Sequence, residues 1–146
     1  MRVVVQRVSQ AQVSVESKIV SSIGKGYLLL IGMTHEDDID TAKQMARKIA
    51  NLRVFSDLEG KMNLSLSQVG GEILSISQFT LYGDTNNSNR PSFTKAMNYK
   101  EADKLYLDFN EILRKEYGIN VKAGVFGEHM EVSLVNDGPV TIIIEK

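Results

Sequence analysis

Side chains able to carry hydrolytic or group-transfer chemistry are few in this chain, and their spacing excludes the familiar arrangements. There is no cysteine, hence no thiol nucleophile, no thiolate zinc site and no disulfide. Only His35 and His129 offer an imidazole, and neither stands in a histidine–carboxylate ligand spacing, so no metal and no cofactor are expected. A serine triad is disfavoured because no GxSxG elbow accompanies either histidine, and His129 reads as a strand residue with a surface or packing role. What remains is Ser77, Gln78, Phe79, Thr80 and Leu81 (SQFTL). Thr80 presents a hydroxyl there, for attack or for orienting a water, with no identifiable base to activate it. The same five residues also read as a strand end whose polar side chains face solvent.

The elements that must position this segment follow from periodicity. Val3, Val5 and Val8 begin a β-rich N-terminal part continued in short strands by Val13, Val15, Ile19, Val20 and Ile23. The run YLLLIG (27–32) suits a strand covered on both faces. Ile39, Ala42, Met45, Ala46 and Ile49 repeat at helical spacing behind acidic residues 36–40, the positive end of a helix dipole. Leu52 to Phe55 and Glu72 to Gln78 read as strands, the second delivering Thr80 to its end, and GDTNNSN (83–89) as a mobile surface loop. A second helix carries Tyr99, Ala102, Leu105, Tyr106, Phe109, Ile112 and Leu113 as a core stripe, with Asn98 and Glu101 as its capping box and Gly118 as its stop. Residues 129–135 and 140–145 are strand-like on either side of Asp137-Gly138, which predicts a hairpin, with Pro139 awkwardly placed at the start of the outgoing strand. The order predicts a mixed α/β domain over residues 1–146, a layered, barrel-like sheet with both helices on one side.

Four short motifs, in order, carry a resemblance, Ser77 to Leu81 (SQFTL), Arg90 to Phe93 (RPSF), Gly124 to Gly127 (GVFG) and Asn136 to Thr141 (NDGPVT), and the opening MRVVVQRVSQAQVSV agrees with them. Together they resemble the D-aminoacyl-tRNA deacylase family over essentially the whole chain. One departure is visible. Glu128 and His129 follow the second glycine of GVFG where the family pattern places a small residue first, at the pocket rim beside Met130.

The resemblance implies an editing hydrolase acting on the aminoacyl-tRNA acceptor end, an ester whose ammonium already activates its carbonyl and whose neighbouring ribose hydroxyl can assist. The backbone amides of Phe79 and Thr80 would stabilise the oxyanion, with Ser77 and Gln78 positioning them. It further implies that Gly138 and Pro139 are joined by a cis bond and reach into a partner subunit's pocket, beside Phe126 and Met130. There their carbonyls would exclude an L side chain, pass glycine (as on mischarged tRNA-Ala) and let a D side chain leave towards solvent. Such an insertion implies a homodimer.

Composition is consistent with this and narrows the partner. A chain of 146 residues with 42% hydrophobic and 24% charged residues buries an ordinary core, has no membrane-length apolar stretch and starts unlike a signal peptide, so a cytoplasmic location is expected. Net charge is −1, so nucleic acid must be gripped locally. Local candidates are Arg90, Lys95 and Lys100, and Arg2, Arg7, Lys18 and Lys25, against ordinary solvated surface. Two other readings are open: an editing deacylase of relaxed chirality, and a non-enzymatic RNA-binding or scaffold module.

Overall fold

Alternating valines build the first element, β1. In the computed structural model, which describes Met1–Lys146, Arg2–Val15 form one 14-residue strand rather than a series of short ones. Val3, Val5, Val8, Ala11 and Val13 are buried. The alternation changes phase around Arg7 and Ser9, where pairing with the C-terminal strand bulges, and a bulge lets one strand continue through a change of phase. β2 (Lys18–Ile23) returns along β1, and β3 (Gly26–Gly32), the predicted doubly covered strand, pairs antiparallel with the first half of β1.

Helix α1 (Ile39–Ala50) starts at an Asp38–Thr41 capping box and packs its Ala42, Met45, Ala46 and Ile49 stripe inward. β4 (Arg53–Ser56) and β5 (Met62–Ser65) form a separate two-stranded ribbon. β6 (Glu72–Ser77) runs parallel to β3, a crossover that α1 makes possible. Helix α2 (Tyr99–Tyr117) is capped by the Asn98 side chain and ends at Gly118. β7 (Val121–Ala123) joins β6 in parallel, and β8 (Glu131–Glu145) lies along β1.

The sheet order is β2-β1-β3-β6-β7, with β8 on the other edge of β1. Its ends meet. Ser21 Oγ donates to the Ala123 carbonyl (2.7 Å) and Lys122 Nζ to the Ser22 carbonyl (2.7 Å), tying β2 to β7 and curling the sheet into a barrel-like core. Strand alternation then makes two cores. Tyr27, Leu29, Ile31 and Ile73 face α1 and α2 in the larger one, while Leu28, Leu74 and Ile76 face the curl with Val8, Ala11 and Val13.

The expected hairpin at Asp137-Gly138 is not formed. β8 is one strand whose two halves run in the same direction along β1, with Val8 opposite Asn136 and Gln6 opposite Thr141. Residues 137–140 leave the ladder as an excursion opposite Arg7 and the chain then resumes. Turn-forming residues permit either outcome, and continuous pairing with β1 selects the second.

Candidate active site

Parallel pairing of β6 with β3 fixes where SQFTL leaves the sheet. Ser77 lies opposite Ile31, and the Gln78 N–H donates to the Ile31 carbonyl (2.7 Å). Gln78, at φ −146° and ψ 76°, then turns the chain into a 3-10 turn, Phe79–Tyr82. Phe79 and Thr80 open that turn, so their N–H groups have no acceptor within it. The Thr80 hydroxyl accepts from Gln78 Nε2, a neutral amide and not a base. Phe79 is 57% exposed and meets Phe93 edge to face, with centroids 5.1 Å apart.

Beside this turn opens a cavity of about 460 Å³. Ile31, Met33 and Ile76 come to it from the sheet, Tyr99 and Ala102 from the start of α2, and Ser77, Gln78 and Phe79 from the end of β6. Residues 126–130 complete it from the β7–β8 connection. Phe126 is clasped by Tyr99 (centroids 5.1 Å) and Tyr106 (5.6 Å), and the Tyr106 hydroxyl donates to the buried Ser75 carbonyl (2.8 Å). Burial pushes the Tyr106 phenol up, which keeps it a neutral donor. Gly127 has φ +79°, which favours glycine, and a Cβ there would stand 2.5 Å from the Tyr99 hydroxyl oxygen and push that ring aside.

Two residues read differently from the sequence belong to the cavity. Tyr99, assigned to the core stripe of α2 by its spacing, is 63% exposed, because it is the first residue of the helix and overhangs the opening. His129, assigned to a strand, precedes β8 and lines the cavity beside Glu128.

The loop after the turn is tethered. Asp84 and Ser92 exchange main-chain hydrogen bonds (2.8 and 2.9 Å), and Lys95 Nζ lies 2.9 Å from the Asp84 carboxylate. The Asn86 N–H and then Lys95 hold the Asp84 carboxyl below its usual value of 3.8. Its contribution is therefore complete above that value and is lost only as pH falls through the lowered one, which leaves the loop tethered at neutral pH. Arg2 braces the same turn from below. Its guanidinium pairs with Glu145, donates to the Leu81 carbonyl (2.6 Å) and lies over the Tyr82 ring. Burial pushes the Tyr82 phenol up to about 12.

The Gly138–Pro139 peptide is cis. Its excursion is held at both flanks. Arg7, only 8% exposed, donates from Nε to the Asp137 carbonyl (3.0 Å) and from Nη1 to the Val54 carbonyl (2.6 Å). The Asn136 carboxamide accepts from the Val140 N–H (2.8 Å) and donates to Thr141 Oγ1 (3.0 Å), bracketing the bulge as a main-chain pair would. Arg7, one of the basic residues considered for nucleic acid, is thus spent inside the fold.

Ser77, Gln78, Phe79, Phe126 and Met130 share one cavity, with Thr80 turned next to it. Gly138 and Pro139 are not among the residues lining it. Val132 is, and six further residues of strand amount to roughly 20 Å at 3.3 Å each. From the sequence Arg7 reads as a nucleic-acid candidate and Asn136 as part of the NDGPVT segment, and neither as an anchor of the excursion. Arg7 is found only by folding, since its partner Asp137 lies 130 positions away.

Residues 4–145 match the protein family described as D-Tyr-tRNA(Tyr) deacylase. Relatives named D-aminoacyl-tRNA deacylase include one from an Exiguobacterium species, 54% identical over 146 residues, which covers 100% of this chain and 99% of the relative. Another, from Lactobacillus acidophilus, is 52% identical over 145 residues, with 99% of each covered. Among solved structures, the c-Myc DNA Unwinding Element Binding Protein superposes with a TM-score of 0.95 at 44% identity, covering 100% of this chain and 99% of that one. A probable eukaryotic D-amino acid tRNA deacylase superposes at 0.84 with 18% identity over 98% and 97%, a likeness of fold alone.

Proposed function

The chain belongs to the D-Tyr-tRNA(Tyr) deacylase family, and from that premise we propose that it is a cytosolic tRNA-editing hydrolase. It cleaves the ester of D-aminoacyl-tRNA, and of glycine mischarged on tRNA-Ala, and spares L-aminoacyl-tRNA. The observation that carries this reading is the cavity at the SQFTL turn, walled by apolar side chains and bordered by main-chain amides at the start of a 3-10 turn.

The ester carbonyl sits against the N–H groups of Phe79 and Thr80. A water adds to it, assisted by the neighbouring ribose hydroxyl, and the two amides stabilise the oxyanion as it forms. Collapse breaks the ester bond, the ribose oxygen takes a proton, and free amino acid and tRNA leave. Ser77 and Gln78 hold the turn in place.

Chirality is set by Gly138 and Pro139 of a second copy. The roughly 20 Å between Val132 and Gly138 along β8 supports supply from a partner rather than from the same chain. Insertion across a two-fold axis makes two identical composite sites.

Two substitutions separate main-chain from side-chain catalysis. Thr80→Ala keeps kcat within about tenfold of wild type, the scale of one lost neutral hydrogen bond. A loss on the order of 10⁴ in single-turnover assays would instead make the hydroxyl the nucleophile. His129→Ala leaves kcat within about threefold and the shape of the pH–rate profile that of wild type, because no hydrogen bond joins its ring to Ser77 or Thr80 in this structure. Loss of a general base would cost about 10²–10⁴ and remove the acid limb of the profile.

The name of the 44% identical structure favours one other reading, a nucleic-acid-binding module without catalysis. Incubating purified protein with D-Tyr-tRNA decides. Catalysed release of D-tyrosine supports the hydrolase, and tight binding of RNA or DNA with no release supports the module.

A further inference from the structure

Of the seven basic residues that stood out in the sequence, Arg7 is spent inside the fold on two carbonyls and Asp137, and Arg2 and Lys95 are paired at the surface with Glu145 and Asp84. A different set gathers in an open cleft of about 650 Å³ at the C-terminal end of α1. Arg47, Lys48, Arg53 and Lys146 line it with the amides of Gln44 and Asn51, and no acidic side chain lines it. All four cations are exposed, and none lies within 4.0 Å of a carboxylate. Arg47 and Lys48 also complement the negative end of the α1 dipole. That role does not explain Arg53, oriented by its Nε bond to the Asn63 carbonyl (2.8 Å), or Lys146, whose main-chain oxygen faces the Met1 ammonium (2.7 Å).

Arg47, Lys48 and Arg53, none paired with a carboxylate, focus positive potential on the walls of one cleft, with the Lys146 ammonium beside them, in a protein whose net charge is −1. The position suits RNA already held by its 3′ end. α1 starts just beyond Met33, which lines the cavity, and ends where the Tyr27 hydroxyl donates to the Leu52 carbonyl at the far end of β3. Its 12 residues span roughly 18 Å, a length of duplex axis that carries on the order of ten phosphates. We infer that this cleft grips backbone phosphates of the tRNA acceptor stem while the terminal ester occupies the cavity. The identity of the RNA rests on the deacylase reading; the phosphate chemistry of the cleft does not.

The test has a binding arm and a turnover arm, with Arg47→Gln/Lys48→Gln, which keeps the helix end free of new negative charge. Binding of uncharged tRNA is followed by fluorescence anisotropy across salt concentrations. The variant is expected to bind about tenfold more weakly near 0.1 M salt, with a salt slope shallower by about 1.4–1.8, the loss of two phosphate contacts. In turnover, KM for D-Tyr-tRNA rises while kcat holds, and hydrolysis of the minimal ester D-tyrosyl-adenosine is unchanged. An unaltered affinity and slope, or an equal loss on both esters, overturns the inference. A wild type that binds tRNA but cleaves neither ester sinks the deacylase reading, and the binding arm still decides the cleft. Should the double variant not fold, Lys146→Gln is read in its place, with about half the change in slope expected and no change overturning the inference.

Discussion

Replacing Arg7 with alanine is expected to lower the unfolding midpoint by roughly 5–15 °C and to collapse the preference for D- over L-substrates. The guanidinium is almost fully buried and satisfies two main-chain carbonyls, those of Asp137 and Val54, from opposite sides. Truncation leaves the buried Val54 carbonyl without a donor, at about 1–3 kcal/mol, and removes an ordinary hydrogen bond from the more exposed Asp137 carbonyl, at about 0.5–1.5 kcal/mol, and a domain of this size shifts by about 2–4 °C per kcal/mol. The ion pair to Asp137 adds little to that sum, since the contact is long (3.4 Å) and the carboxylate half-exposed. Val54 precedes a core phenylalanine, and Asp137 starts the excursion that carries Gly138 and Pro139. One side chain therefore ties the proposed chirality filter to the β4–β5 ribbon. Arg7→Lys recovers part of the stability and little of the selectivity, because an ammonium cannot span both carbonyls with a fixed fork. Calorimetry gives the first quantity and paired D- and L-substrate assays the second. An Arg7→Ala protein with wild-type discrimination would show that the excursion keeps its shape without its anchor.

Gly138→Ala is expected to reduce kcat/KM on D-aminoacyl-tRNA by about a hundredfold, the scale of a 1 Å misplacement of groups that define a reacting geometry. Gly138 has φ +135°, where an L residue is strained. An added Cβ would also stand 2.8 Å from Val140 Cγ2 and 3.1 Å from Arg7 Nη2. Val140 is buried and Arg7 is locked by its own hydrogen bonds, so the excursion itself must move. A shift away from the partner's pocket opens the side from which L residues are excluded, and cleavage of L-Tyr-tRNA should rise as cleavage of D-Tyr-tRNA falls. Steady-state kinetics on both substrates checks this. Equal losses on both would assign Gly138 to folding alone.

Local chemistry made most of the scaffold legible in the sequence. Acidic residues 36–40, Asn98 with Glu101, and Gly118 place the helix ends, and the unbroken apolar YLLLIG run places β3 at the centre of the sheet. SQFTL was legible as a strand end leading into a polar turn. What escaped depends on distant contacts. The signals around Asp137-Gly138 are those of a hairpin, and only the length of β1 and the reach of Arg7 keep β8 a single strand with an excursion. Tyr99 obeys the α2 periodicity, but a helix's first turn can overhang a cavity instead of a core. His129 precedes a strand that pairs only from Glu131, so nothing in the alternation marks its turn towards the cavity. The cleft at the end of α1 escaped as well, because Arg47, Lys48, Arg53 and Lys146 come together only once β8 returns beside β1.

The most direct measurement is the ratio of kcat/KM on D-Tyr-tRNA to that on L-Tyr-tRNA for the unmodified protein, with both esters on the same tRNA. A main-chain filter that blocks one face of the α-carbon predicts a ratio above about a hundred. A ratio near one, or faster cleavage of the L-ester, contradicts a filter formed by Gly138 and Pro139.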